Sequence, residues 1–267
     1  VSVLECVTPG LRQPEWQAGS LVVLGDSTAV GLGDPLPGGG WRGVGSLLAT
    51  ALSGHDHVRF ANLSFTGARM ACVRDVQLPE AVALAPDVAV IIVGMNDTLR
   101  SDFDAARIRA DLDHVVSTLT EAGTVVLTVR FHDHAKVFRL PGPLRRALRS
   151  RINELNSVID EVSAEHDAGC LDLDLLPGAY DMRAWSVDRL HPSELGHRML
   201  ALGFAEILAK RGCTIPNPVS LVCSGGRRVG AAGHVIWLVV KGIPWLWRRG
   251  RDLVPYAVSI MVKELSR

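Results

Sequence analysis

The chain has 267 residues, 48% hydrophobic and 21% charged, with 28 basic side chains against 28 acidic ones. That length suits one large globular domain, or one domain with an appendage. The formal net charge of zero excludes a global attraction to nucleic acid or to an anionic membrane. The balance is uneven, however: Val219 to Arg267 holds eight Lys/Arg against Asp252 and Glu264, so this tail is +6 and the preceding body is −6. Five cysteines (Cys6, Cys72, Cys170, Cys213, Cys223) without a C-x-x-C spacing argue against a disulfide framework or a zinc ribbon. The stretch Val1-Ser2-Val3-Leu4-Glu5 has no basic flank before a long apolar run, so a cytoplasmic location is the expectation.

Strand-like apolar runs recur at Leu21–Leu24, Val58–Leu63, Val88–Val93, Val125–Val129 and Cys170–Leu175. Helical patterns lie between them, at about Trp41–Leu52, Ala68–Leu84, Asp104–Ala122 and Leu144–Glu165, with a last one at Ser193–Lys210. Such alternation, with nearly continuous apolar strands, predicts an α/β fold whose parallel five-stranded sheet is covered on both faces. Turn residues agree. Ala85-Pro86-Asp87 breaks a helix before the third strand, and Ala122-Gly123 closes the helix before the fourth.

The nearly adjacent prolines of Ile215-Pro216-Asn217-Pro218 stop the last of these helices. They divide the chain into a domain at 1–218 and a basic extension at 219–267. The extension carries Trp237, Trp245, Trp247, the cluster Arg248-Arg249-Gly250-Arg251 and an amphipathic run at Asp252–Leu265. Lys241 and Pro244 interrupt its apolar stretch, so it does not reach the ~20 residues of a spanning helix. Two readings stand for it: helices or a lid packed on the core, or a peripheral membrane-surface segment.

The chemistry concentrates at turns after the strands. Gly25-Asp26-Ser27 ends the first apolar run, which sets the Ser27 hydroxyl at the carboxyl end of a sheet, where open α/β proteins place ligands. In a 2-1-3-4-5 doubly wound sheet the crevice opens between the first and third strands. Asn96, in Gly94-Met95-Asn96-Asp97, then flanks that crevice opposite Ser27. The backbone N–H groups of Ser27 and Gly67, with the Asn96 amide, suit an oxyanion site. Asp188 and His191, three apart in a turn before a helix, set a carboxylate beside an imidazole. Asp188 accepts from Nδ1–H there, leaving Nε2 to take the Ser27 proton.

These four blocks resemble the SGNH (GDSL-type) hydrolase superfamily: the Ser of Gly25-Asp26-Ser27, Gly67, the Asn of Gly94-Met95-Asn96-Asp97 and the His of Asp188-Arg189-Leu190-His191. The resemblance covers roughly Ser20–Gly212. It implies a three-layer α/β/α flavodoxin-like fold and ester hydrolysis or acyl transfer through a covalent acyl-serine. Thr28 stands where the family name has Leu, a position that varies.

Other signals read as structure. His132-Asp133-His134 lacks a third metal ligand at a fitting spacing and reads as a polar lining of a loop over the site. Glu194 and His197 form no H-E-x-x-H motif and read as helix surface. Asp172 and Asp174, alternating with leucines, read as a strand edge or a supporting shell. Gly38-Gly39-Gly40-Trp41-Arg42-Gly43 fits no phosphate-binding motif and reads as a flexible rim of the acyl pocket, with Trp41 as its wall.

The leading expectation is a serine esterase or acyl hydrolase acting on a small-molecule acyl ester, with no cofactor, metal or nucleic-acid partner. An acyltransferase with the same residues differs only in that an alcohol replaces water. A non-catalytic flavodoxin-like binding module is the alternative of another class.

Overall fold

The computed structural model describes residues 15–137 and 142–224, with Val258 alone beyond them. Within these residues, strands β1 (Ser20–Gly25), β2 (Arg59–Asn62), β3 (Val88–Ile92), β4 (Val125–Arg130) and β5 (Gly169–Asp172) form one sheet in the order β2-β1-β3-β4-β5. Every ladder is parallel. Strands β1 and β3 are buried along their whole length, as continuous apolar runs require when both faces of a sheet are covered. The sheet thus has the expected doubly wound order.

Helix α1 (Ser27–Val30) follows β1 directly, and α2 (Gly43–Leu52) packs with α8 (Glu194–Lys210) on one face. The other face carries α3 (Met70–Cys72), α4 (Leu78–Leu84), α6 (Ala105–Glu121) and α7 (Gly142–Glu165), with α5 (Met95–Thr98) following β3. Local chemistry explains these boundaries. The Asp104 carboxylate accepts from the N–H groups of Ala106 and Arg107 at 3.0 and 3.1 Å, satisfying two donors that a helix start leaves open. From there Ile108, Leu112, Val115, Val116 and Leu119 recur at helical spacing and are buried. Truncating the fully buried Leu119 to Ala costs about 2–5 kcal/mol.

Two details depart from the sequence expectation. The helix expected over Ala68–Leu84 is divided into α3, a π-helical turn at Val73–Gln77, and α4. Pro79, in the first turn of α4, has no N–H for the regular ladder, and the widened turn precedes it. Helices α1 and α5, four residues each, are too short to leave a periodic pattern.

Residues after α8 stay on the body as far as Ser220. The Asn217 N–H donates to the Ala51 carbonyl at 3.0 Å, and Arg198 donates to the Ser220 carbonyl at 2.8 Å. The tryptophans, the arginine cluster and the run Asp252–Leu265, apart from Val258, lie outside the described residues. Among the described residues, no helix is long and apolar enough to cross a membrane.

Candidate active site

The doubly wound order puts the carboxyl ends of β1 and β3 side by side, and the site is built there. Gly25 ends β1 with φ +136°, and a Cβ on it would lie 1.9 Å from the Ile92 carbonyl oxygen. Only glycine fits this junction. Asp26 follows, its N–H donating to the Ile92 carbonyl at 3.0 Å and its carboxylate capping α1 through the Thr28 N–H at 2.9 Å. Ser27 is thereby fixed at the first position of α1.

The Ser27 hydroxyl lies 2.7 Å from His191 Nε2, and His191 Nδ1 lies 2.6 Å from Asp188 Oδ2. The other Asp188 oxygen accepts from the backbone N–H groups of Leu190 and His191 at 2.9 and 3.0 Å. The loop is closed by the Ser186 N–H donating to the His191 carbonyl at 2.8 Å. Burial raises the Asp188 carboxyl, but the His191 hydrogen bond and charge and the backbone donors outweigh it, and its pKa is lowered. The structure therefore joins all three residues singled out in the sequence, although Ser27 and His191 stand 164 positions apart.

Asn96 sits on α5, opposite Ser27 across the crevice. Its amide nitrogen donates to the Ala68 carbonyl at 3.0 Å and faces Asp26 Oδ2 at 3.4 Å. Ala68 follows Gly67, so this bond ties the Gly67 turn to the loop after β3. Gly67 is exposed, has φ +84°, and has open space where a Cβ would stand. Asp97 steadies the same turn by accepting from the Met70 N–H at 3.1 Å and from Arg69 Nε at 3.0 Å. Burial pushes the Asp26 carboxyl up to about 6.

Gln77 belongs to this site and went unnoticed in the sequence. The π turn aims its buried amide at Gly25, accepting from the Gly25 N–H at 2.7 Å and donating to its carbonyl at 3.0 Å. A lone amide on the apolar side of a helical stretch was the available signal.

An apolar pocket, open to solvent at its mouth, adjoins the triad. Thr28, Leu190 and Pro192, the chain neighbours of Ser27 and His191, line it along with Trp185, Leu173 and Met199. Trp185, not Trp41, supplies the aromatic wall. Trp41 is exposed and does not line this pocket, because the neighbouring Arg42 anchors the loop by pairing with buried Asp34 at 2.9 Å and with Glu194 at 2.8 Å.

The reading of Glu194 and His197 as helix surface is corrected. Glu194 pairs with Arg42 and Arg198. His197 is fully buried, its Nε2 donating to the Leu32 carbonyl at 2.9 Å. The glycine-rich loop covers the first turns of α8, so His197 is buried there and Glu194 is half-buried. His132 and His134, read as the polar lining of a loop over the site, are buried and line the pocket wall. Their rings bond each other, Nε2 to Nδ1, at 3.1 Å. Asp172 ends β5 at the sheet edge and pairs with Arg130 at 3.3 Å, and Asp174 accepts from the Tyr180 hydroxyl. Among the described residues, three potential metal ligands converge only at Asp113, Glu165 and His166, where His166 Nε2 lies 2.8 Å from Asp113.

Solved structures with this fold include an alpha/beta hydrolase from the metagenome of Lake Arreo, Spain. It is 20% identical at a TM-score of 0.59, covering 73% of this chain and 98% of that one. TesA is 23% identical at 0.55, covering 72% and 99%. A variant of Axe2, an acetyl xylan esterase from Geobacillus stearothermophilus, is 18% identical at 0.57, covering 73% and 96%. No curated protein matches the sequence. The model of the GDSL-like lipase/acylhydrolase family matches residues 23–199, a span that contains Ser27, Gly67, Asn96, Asp188 and His191. The chain is a hydrolase and belongs to the GDSL-like lipase/acylhydrolase family.

Proposed function

We propose that the protein cleaves a small-molecule acyl ester through a covalent acyl-serine on Ser27. The observation that carries this is the continuous chain Ser27 Oγ, His191, Asp188 at 2.7 and 2.6 Å. A serine hydroxyl is a weak nucleophile until a positioned base serves it. His191 Nε2 takes the hydroxyl proton as Oγ attacks the ester carbonyl carbon, and Asp188 stabilises the imidazolium that forms. The negative charge on the carbonyl oxygen falls to the Ser27 and Gly67 N–H groups and the Asn96 amide. The tetrahedral intermediate collapses, the C–O bond to the alcohol breaks, and His191 returns its proton to the departing oxygen. Water then adds to the acyl-serine with His191 again as base, releasing the acid and free Ser27.

The Asn96 amide donates to Ala68 in the free site, so it turns toward the developing oxyanion as charge appears there. The apolar pocket beside the triad accommodates one side of the ester. Acyl transfer follows the same steps with an alcohol in place of water.

The test is labelling by a fluorophosphonate together with hydrolysis of p-nitrophenyl esters from acetate upward. Ser27→Ala should lose both labelling and turnover. Labelling that persists at full stoichiometry overturns the assignment of the nucleophile, and ester formation from an added alcohol that outcompetes water makes the protein a transferase.

The segment after residue 224 adds a second proposal, a salt-sensitive contact of its cationic and aromatic residues with anionic membranes. Vesicle binding that is lost on truncation at Pro218 supports it. An intact protein that ignores vesicles, with a truncated one that aggregates, makes the segment part of the fold.

A further inference from the structure

The pocket beside the triad is mostly apolar, and its polar lining comes from Thr28, Trp185 and the pair His132 and His134. Both rings are buried, 3% and 4% exposed, and both line the pocket. Each spends one nitrogen on the other, at 3.1 Å between His134 Nδ1 and His132 Nε2. The outer nitrogens, His132 Nδ1 and His134 Nε2, are buried and have no hydrogen-bond partner. The Arg189 carbonyl lies near enough to favour a proton on His134, yet closes no hydrogen bond with Nε2. The other polar wall is already committed, since the Trp185 indole N–H donates to the Ala179 carbonyl at 2.8 Å.

Tautomer chemistry limits what the pair offers. In a bond between two neutral imidazoles one ring donates and the other accepts, so the two outer nitrogens are always one N–H and one lone pair. Burial pushes His132 down to about 4 and His134 down to about 3. The pair is therefore uncharged at neutral pH and offers no attraction to a carboxylate or a phosphate. Unmet buried hydrogen-bonding capacity is costly, and the apolar pocket is the space that both rings line.

We propose that this pair is a specificity site for an ester whose chain is apolar but carries one neutral oxygen, a hydroxyl or carbonyl, placed to meet the free nitrogen of His132 or that of His134. The inference deepens the ester-cleaving reading and rests on it for the orientation of the chain. A wholly apolar chain fills the pocket and leaves both nitrogens unmet. A chain with a charged group must give up its solvation without a counter-charge.

The test compares wild-type kcat/KM for p-nitrophenyl octanoate with that for octanoates hydroxylated at successive carbons. A second arm compares octyl acetate with octyl acetates hydroxylated along the octyl chain, which tells the acyl side from the alcohol side. One hydroxylated isomer in one arm should exceed its plain parent by about tenfold, the scale of one good hydrogen bond. In His132→Phe/His134→Phe that ratio should fall to about one, with a melting temperature equal to or above that of the wild type. Equal rates for plain and hydroxylated chains in both arms overturn the inference, as does a preference that survives the double substitution.

Ligand-induced melting shifts of Ser27→Ala protein, with methyl octanoate against its hydroxylated isomers, need no turnover. A retained preference there without hydrolysis by the wild type removes the ester-cleaving reading and keeps the binding site. Hydrolysis without any preference removes the binding site and keeps the reading.

Discussion

His191 and the pair His132–His134 use the same side chain in opposite ways within one corner of the molecule. His191 is partnered on both ring nitrogens, by Ser27 and Asp188. The pair is buried without a carboxylate bonded to either ring, and each ring keeps one nitrogen unmet. A bonded carboxylate fixes the tautomer and stabilises the protonated ring, so the imidazole can carry a proton through a reaction. Burial without one disfavours the charged form and leaves a neutral wall. Environment, not residue type, decides which histidine is placed to serve as a base.

The largest way to break that comparison is to remove the base. His191→Ala should lower kcat by about 10⁶-fold, as should Ser27→Ala, because the members of such a unit fail together. Asp188→Asn should cost about 10⁴-fold, since the ring keeps its place but loses its tautomer. Single-turnover kinetics on a p-nitrophenyl ester check all three. If His191→Ala retains most of its activity, the base lies elsewhere.

The neutral histidines should show in stability against pH. His132, His134 and His197 are held to about 4, 3 and 4 by burial, below their ordinary 6.5. Below pH 6.5 the unfolded chain takes up protons that the folded protein refuses. Folded stability should therefore fall as pH drops from about 6.5 toward 4, each ring contributing up to about 1.4 kcal/mol per pH unit. Asp26, raised to about 6, works the other way, binding its proton in the folded state first and offsetting part of the loss between pH 6 and its ordinary 3.8. Urea unfolding at stepped pH measures the balance. Stability that stays level from pH 7 to 4.5 contradicts three neutral buried rings.

Asn96→Ala sharpens the picture on the other side of Ser27. It should lower kcat by about 10²–10³-fold with little change in KM, because in the proposed mechanism its amide serves charge that exists only in the transition state. An effect confined to KM makes Asn96 a substrate-binding residue. Gln77→Leu should have the smallest effect. Its amide holds both backbone groups of Gly25, so its loss leaves a buried N–H unmet and should cost about 1–3 kcal/mol. Thermal unfolding reads that directly, and an unchanged melting temperature means that the clamp adds nothing.

The sequence by itself determined the strand runs, because both faces of β1 and β3 are covered and their apolar residues are continuous. It also marked Ser27, Asn96, Asp188 and His191, since each stands in a short motif at the end of a strand or before a helix. Gly25 belongs with them, the junction with Ile92 admitting no side chain. What stayed hidden depends on which element lies against which. Glu194 and His197 read as helix surface, but the glycine-rich loop covers the first turns of α8, so His197 is buried and Glu194 is half-buried in its pair with Arg42. Gln77 reaches Gly25 because a π turn before Pro79 rotates it inward, a local winding that residue spacing does not record. The wall of the pocket comes from residues after β4, after β5 and on α8, brought together by long-range packing alone. Local patterns carry the period of an element and the chemistry of its ends. Tertiary packing decides which faces meet, and so which polar groups are left without water or a partner.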